Sequence, residues 1–288
     1  MEKYALSKST FIKGLQCKKQ LYLYKHYYNL KDNISPQSQA IFNQGNKVGK
    51  LAQDLFPNGV DASPSSHFKI QESIVKTKEF IKNGQTIIYE ATFQFNGVLV
   101  AIDILVKQKD DWEAYEVKSS TRVSDTNIKD AAIQYYTIIN SGINLKDISI
   151  VHINNQYVKN GDINILKLFT IESVSDRIQK VLPEIPKQIE EFKKVILNKS
   201  VPDIGIGEHC TKPYNCDFKK HCWKHIPEYS IFDISGLRNS KKFKLYENGV
   251  INFKQINLKS SHLNPNQLLQ VTSELENKSF IDKPKIKD

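Results

Sequence analysis

The sequence has no apolar run long enough to cross a bilayer, which excludes a membrane-spanning helix. Its first ten residues, MEKYALSKST, lack the hydrophobic stretch of a secretory signal, so the expected location is cytoplasmic with no membrane partner. No internal repeat is visible, which argues against a solenoid or an array. Cysteine is scarce, at four residues in 288, too few for a disulfide scaffold. Their distribution is uneven. Cys17 stands alone near the start, and Cys210, Cys216 and Cys222 share one short stretch. In a cytosolic chain that pattern favours a metal site over disulfides. The only two tryptophans, Trp112 and Trp223, read as packing anchors rather than as platforms for bases.

What is present is an ordinary globular composition, 40% hydrophobic and 25% charged, in a chain long enough for one large domain with an appendage. The formal net charge is +10, which fits a polyanionic partner. A lysine-rich and asparagine-rich background gives the same charge with no partner at all.

The chemistry concentrates in residues 97–120, GVLVAIDILVKQKDDWEAYEVKSS, which read as a β-hairpin. Asp103 interrupts an apolar run, and a buried carboxylate needs a partner. Glu116 and Lys118 are two residues apart, so on a strand they share a face. Asp103 and Glu116 would suit a hard divalent cation, and Lys118 an anion or a water. The plainer alternative is a structural hairpin with a buried Asp–Lys pair and a surface Glu. Residues 86–95 form a strand before the hairpin, joined by the Asn96–Gly97 turn, and place Glu90 near the same site.

Around this unit, residues 8–28 and 39–56 read as helices, the second despite Gly45 and Gly49. Each glycine costs about 1 kcal/mol against alanine, so a close backbone or a ligand is expected there. Pro36 reads as a turn. Further helices are expected at 70–83, 125–139 and 173–197, the last interrupted near Pro183 and Pro186, with strands at 147–153 and 166–171. Gln134 lies beside the apolar stripe of the 125–139 helix. His67 and His152 are assigned to packing or surface. Residues 198–230 form a cysteine-rich loop region. Residues 231–288 form an appendage with helices near 240–247 and 264–277, a disordered tail from 282, and a face for a protein partner. The order of elements describes an α/β domain with a mixed sheet.

The succession IDILV, EVKSS and a helix carrying IQYY resembles the PD-(D/E)xK nuclease superfamily in its RecB-like branch. The resemblance covers residues 5 to 230 and implies a restriction-endonuclease-like mixed sheet flanked by helices. It implies a nuclease domain over 1–230, with 231–288 as the helical appendage. The implied catalytic set is Asp103, Glu116, Lys118 and Gln134, with Tyr135 on the same helix motif. Mg²⁺ or Mn²⁺ would be held by Asp103, Glu116 and the Val117 carbonyl, with Glu90 as a further candidate. Such enzymes hydrolyse DNA on single strands or at ends, in repair or defence. Four cysteines placed one before and three after the core are similar to those of CRISPR-associated exonucleases and AddB-type domains. There they hold a [4Fe–4S] cluster joining the two ends of the fold, so Cys17, Cys210, Cys216 and Cys222 are its implied ligands. Structural Zn²⁺, with His209, His221 or His225 assisting, is the alternative. Lys18, Lys19, Lys219 and Lys220 flank these cysteines and would border a nucleic-acid groove. The segments SKSTFIKGLQCKKQLYLYK and GEHCTKPYNCDFKKHCW are similar to uncharacterised bacterial RecB-like proteins. Two features depart from the pattern. The family places a histidine four residues after a helical glycine, where this chain has Gly49 after Gly45. The two gaps between the clustered cysteines are five residues each, and the first is longer than in the CRISPR-associated enzymes. The first departure keeps open a catalytically weak or inactive DNA-binding module.

Overall fold

A computed structural model of the protein describes residues 5–66, 69–258 and 262–281. His67 and the tail from 282 lie outside them. Two compact units are formed, one from Met1–Asn29 with Asn33–Asp203 and one from Leu30–Asp32 with Ile204–Asp288. The cysteine-bearing segment 204–230 therefore packs in one unit with the C-terminal residues.

The first unit runs β1 (Leu6–Ser7), α1 (Lys8–Gln16), α2 (Lys18–His26), α3 (Pro36–Ala52), β2 (Val60–Asp61), α4 (Ile70–Lys82), β3 (Ile87–Phe95), β4 (Val98–Gln108) and β5 (Asp111–Lys118). It continues with α5 (Asp125–Asn140), β6 (Leu145–Ile153), α6 (Ile165–Leu168), β7 (Phe169–Ser173), α7 (Ser175–Gln179) and α8 (Ile185–Leu197). The strands make one seven-stranded sheet in the order β2-β3-β4-β5-β6-β7, with β1 added beside β4. β3, β4 and β5 form the antiparallel meander expected from the Asn96–Gly97 turn. Helix α5 then crosses over so that β6 runs parallel to β5. This is a mixed α/β sheet flanked by helices, consistent with a restriction-endonuclease-like core.

The main core joins Ile88, Val100, Ile102, Ala114 and Ile150 of the sheet to Phe11, Ile133, Ile189 and Phe192 of α1, α5 and α8. A second core packs Ile104, Val106, Tyr115 and Val151 against Ala52 of α3. Burying each of these large side chains contributes about 1.5–3 kcal/mol.

Three local expectations are corrected. The single helix over 8–28 is two, because Cys17 is extended (φ −162°, ψ 119°) and breaks the run. Pro36 opens α3 rather than ending a turn: Ser35 caps the helix, accepting from the Ser38 amide, and proline suits the first helical position. Residues 166–171 are the end of α6 followed by β7, with Asn164 capping the helical turn.

The second unit holds α9 (Lys219–Cys222), α10 (Asn239–Glu247) and α11 (Pro265–Glu276). Its core is Ile231, Ile234, Leu237, Phe253 and Val271. The two helices of the expected appendage are thus present, close to their expected bounds.

Candidate active site

The site lies where the sheet forks. β4 pairs with β1 only at Val98 and Leu99, and with β5 only from Ile104 to Gln108. Between those stretches, neither β1 nor β5 is laddered to β4. Backbone groups left without a ladder partner must be satisfied otherwise. The Gln134 side chain donates to the Ala101 carbonyl at 3.1 Å, and the Val117 amide donates to Asp103 Oδ2 at 2.6 Å. Two of the four expected catalytic side chains are therefore doing the hydrogen bonding of the sheet.

The strand alternation also slips here. Ile88 and Ala91 of β3 both enter the main core, as do Ile102 and Leu105 of β4, three residues apart instead of two. Each slip releases one acidic residue, Glu90 or Asp103. Glu90 takes φ +54°, a left-handed backbone that a non-glycine residue adopts only under constraint.

Glu116 is almost fully buried, at 2% exposure, and is held on three sides. Lys8 and Lys118 both donate to its Oε1 at 2.7 Å, and Gln134 donates to Oε2 at 2.6 Å. Lys118 also donates to Asp130 Oδ2 at 2.5 Å, and Lys8 lies 3.8 Å from the same oxygen. The two ammoniums and two carboxylate oxygens alternate around a closed ion cluster. Burial opposes the Glu116 charge, but Lys118 and Lys8 outweigh it and hold its carboxyl below the usual range. Burial likewise opposes the charge on Lys118, which Glu116 and Asp130 more than restore, so its pKa rises. Lys8 is raised in the same way by Asp130 and Glu116.

Asp103 and Glu90 stand outside that cluster. Burial and then the charge of Glu116 push Asp103 up. The same two causes, in the same order, push Glu90 to about 7. Asp103, the charge that interrupts the apolar run, accepts from a backbone amide, while the two ammoniums bond Glu116. The structural alternative of a surface glutamate is corrected, since Glu116 is itself buried.

Glu90, Asp103, Glu116, Val117 and Lys118 line a groove of about 690 Å³, walled by Ile41, Phe42, Gly45, Asn46 and Gly49 of α3. A Cβ at Gly45 or Gly49 would meet nothing within 4 Å, so neither glycine is there for a close backbone. Both open onto the groove.

The donors at the fork fit a hard divalent cation in kind: carboxylate oxygens crowded by like charge, plus a main-chain carbonyl. Among the described residues no three His, Cys, Asp or Glu side chains stand together as ligands in their present placement. The fit is therefore one of donor chemistry and charge. For the cysteines, Cys17 stands just before α2 in the first unit and the other three lie in the second. Cys210 and Cys216 are buried, no disulfide forms, and the Phe218 amide donates to Cys216 Sγ at 3.5 Å. Amide-to-sulfur bonds of that kind suit a thiolate ligand.

Three of the four flanking lysines differ in their contacts. Lys18 pairs with Glu191, Lys219 Nζ lies 4.8 Å over the Trp223 ring, and the Lys220 amide donates to Asp32. Sequence reading missed Lys8 and Asp130. Asp130 had a signal, since it precedes Gln134 by one helical turn and shares its face. Lys8 had none.

No protein-family model matches the chain, and no curated protein matches it. Among solved structures it overlaps an alkaline exonuclease from Laribacter hongkongensis at 11% identity and a TM-score of 0.28. The overlap covers 66% of this chain and 92% of that one. A superposition that loose says nothing of activity. Among the described residues no helix is long and apolar enough to cross a membrane.

Proposed function

We propose that the protein is a metal-dependent nuclease of the PD-(D/E)xK class, RecB-like branch, hydrolysing phosphodiester bonds of DNA on single strands or at ends. The observation that carries this reading is the convergence of Asp103, Glu116 and Lys118 on one strand fork lining a groove, with the buried Gln134 bonded to Glu116 behind them. Asp103, Glu116 and the Val117 carbonyl would hold Mg²⁺ or Mn²⁺, with Glu90 beside them. That ion supplies Lewis acidity and a water of lowered pKa.

The chain's own residues do the rest. Lys118, fixed by Glu116 and Asp130, offers an ammonium to charge developing on the phosphate oxygens or to the attacking water. Gln134 fixes Glu116 and the β4 backbone together. The groove admits the strand, and the net charge of +10 favours binding that weakens with salt. Lys18, Lys19, Lys219 and Lys220 are assigned to phosphate contacts. Cys17, Cys210, Cys216 and Cys222 are assigned to a [4Fe–4S] cluster, with Zn²⁺ as the alternative. That assignment rests on the sequence resemblance, whereas the cytoplasmic location and a partner face within 231–288 rest on the residues themselves.

A second reading is favoured by Lys8, which takes up Glu116 alongside Lys118. It is a nuclease-fold DNA-binding module with weak or no catalysis. End-labelled single-stranded DNA incubated with anaerobically purified protein and Mn²⁺ separates the two. Cleavage that falls by at least about 100-fold in Lys118→Ala supports the nuclease. Equal cleavage by both proteins removes Lys118 from the chemistry. DNA binding without cleavage by either selects the binding module.

A further inference from the structure

We propose that Lys8 is a positioning residue of this site and a fixed cation in it, so that the site takes a single divalent ion. The inference rests on the nuclease reading above. A carboxylate offers about two lone pairs on each oxygen. Glu116 Oε1 accepts from both Lys8 and Lys118 at 2.7 Å, so it is filled. Among the described residues Oε2 accepts only from Gln134, at 2.6 Å, which leaves room for one further partner. A pair of metal ions about 3.5–4 Å apart is served by carboxylates that reach both ions. With Oε1 filled, Glu116 serves one.

Lys8 is built to stay. It follows β1 directly, and β1 is anchored to β4 through Leu6 opposite Val98 and Ser7 opposite Leu99. Ser7 caps α1 at the same point, so strand pairing and helix start together fix where Lys8 leaves the backbone. Its ammonium also faces Asp130, which keeps it within the ion cluster. Lys118 alone would leave Oε1 with a free lone pair. Lys8 closes it, and at the same time supplies the positive charge that a second ion would bring.

The test is the number of Mn²⁺ ions bound, read by the loss of the free-ion paramagnetic resonance signal during titration of the whole protein. Asp103→Asn serves as the blank for loose surface binding. We expect about one site-specific ion per chain in the wild type and in Lys8→Arg, and about two in Lys8→Met. Circular dichroism shows that each variant is folded, and Lys8→Arg keeps the readout open should Lys8→Met fail. Two ions in the wild type, or one in both the wild type and folded Lys8→Met, overturns the role of Lys8. A loss of site-specific binding in Lys8→Arg also overturns it. No site-specific ion in the wild type overturns the metal-dependent reading, and this inference with it.

Discussion

Strands β5 and β6 run parallel, and each carries one carboxylate held by three side-chain donors. Around Glu116 the donors are Lys8, Lys118 and Gln134. Around Asp147 they are Ser149, Ser173 and Ser175, at 2.7, 2.5 and 2.7 Å. Burial disfavours the Asp147 charge, yet the hydroxyls of Ser173, Ser175 and Ser149 hold its carboxyl below the ordinary range. Neutral donors are thus enough to keep a partly buried carboxylate ionised. The lysines at Glu116 go further than the fold requires, and they are accompanied by two more carboxyls, Asp103 and Glu90, that burial and Glu116 push upward. One cluster is a local staple. The other crowds together carboxyls whose ionisation burial and Glu116 oppose.

The comparison breaks most sharply at Glu116. Glu116→Ala leaves two largely buried ammoniums short of one carboxylate, and stability should fall by about 3 kcal/mol, read from the urea midpoint. Asp147→Ala should cost less, about 2 kcal/mol, because only neutral hydroxyls lose their acceptor. That contribution carries a pH signature. A carboxyl lowered on folding stabilises above its unfolded pKa, and the gain is lost as pH falls through the lowered folded value. Wild type and Asp147→Ala should therefore converge in acid, below the ordinary carboxylate range, and differ fully at neutral pH. Glu90→Gln should have the opposite sign. It removes a carboxyl crowded by burial and Glu116, and should raise the stability of the metal-free protein by about 1 kcal/mol at pH 8 while lowering Mn²⁺ affinity.

The part of this site written in short spacings was legible. Glu116 and Lys118 share a face because strands alternate, and Asp103 stood out as the one charge in an apolar run. The meander followed from Asn96–Gly97, and the crossover from the apolar stripe of α5. What escaped was made by long-range closure. Lys8 reaches Glu116 across 108 positions from the start of α1, just after a strand of two residues that is too short to show any period. The left-handed turn of the backbone at Glu90 has no sequence signal, since glutamate gives no hint of it. Cys17 looked like one more residue of a long helix, because nothing in helical periodicity marks an extended break.

The fork has one further consequence. Asp103 and Gln134 complete the sheet where β5 and β1 leave β4 uncovered, so the fold needs them whether or not chemistry occurs. Any descendant relieved of its chemistry would still be held to these two side chains by selection for folding. Among the described residues the Lys118 ammonium bonds side chains alone, so its hold on the fold runs through the ion cluster and not through the backbone.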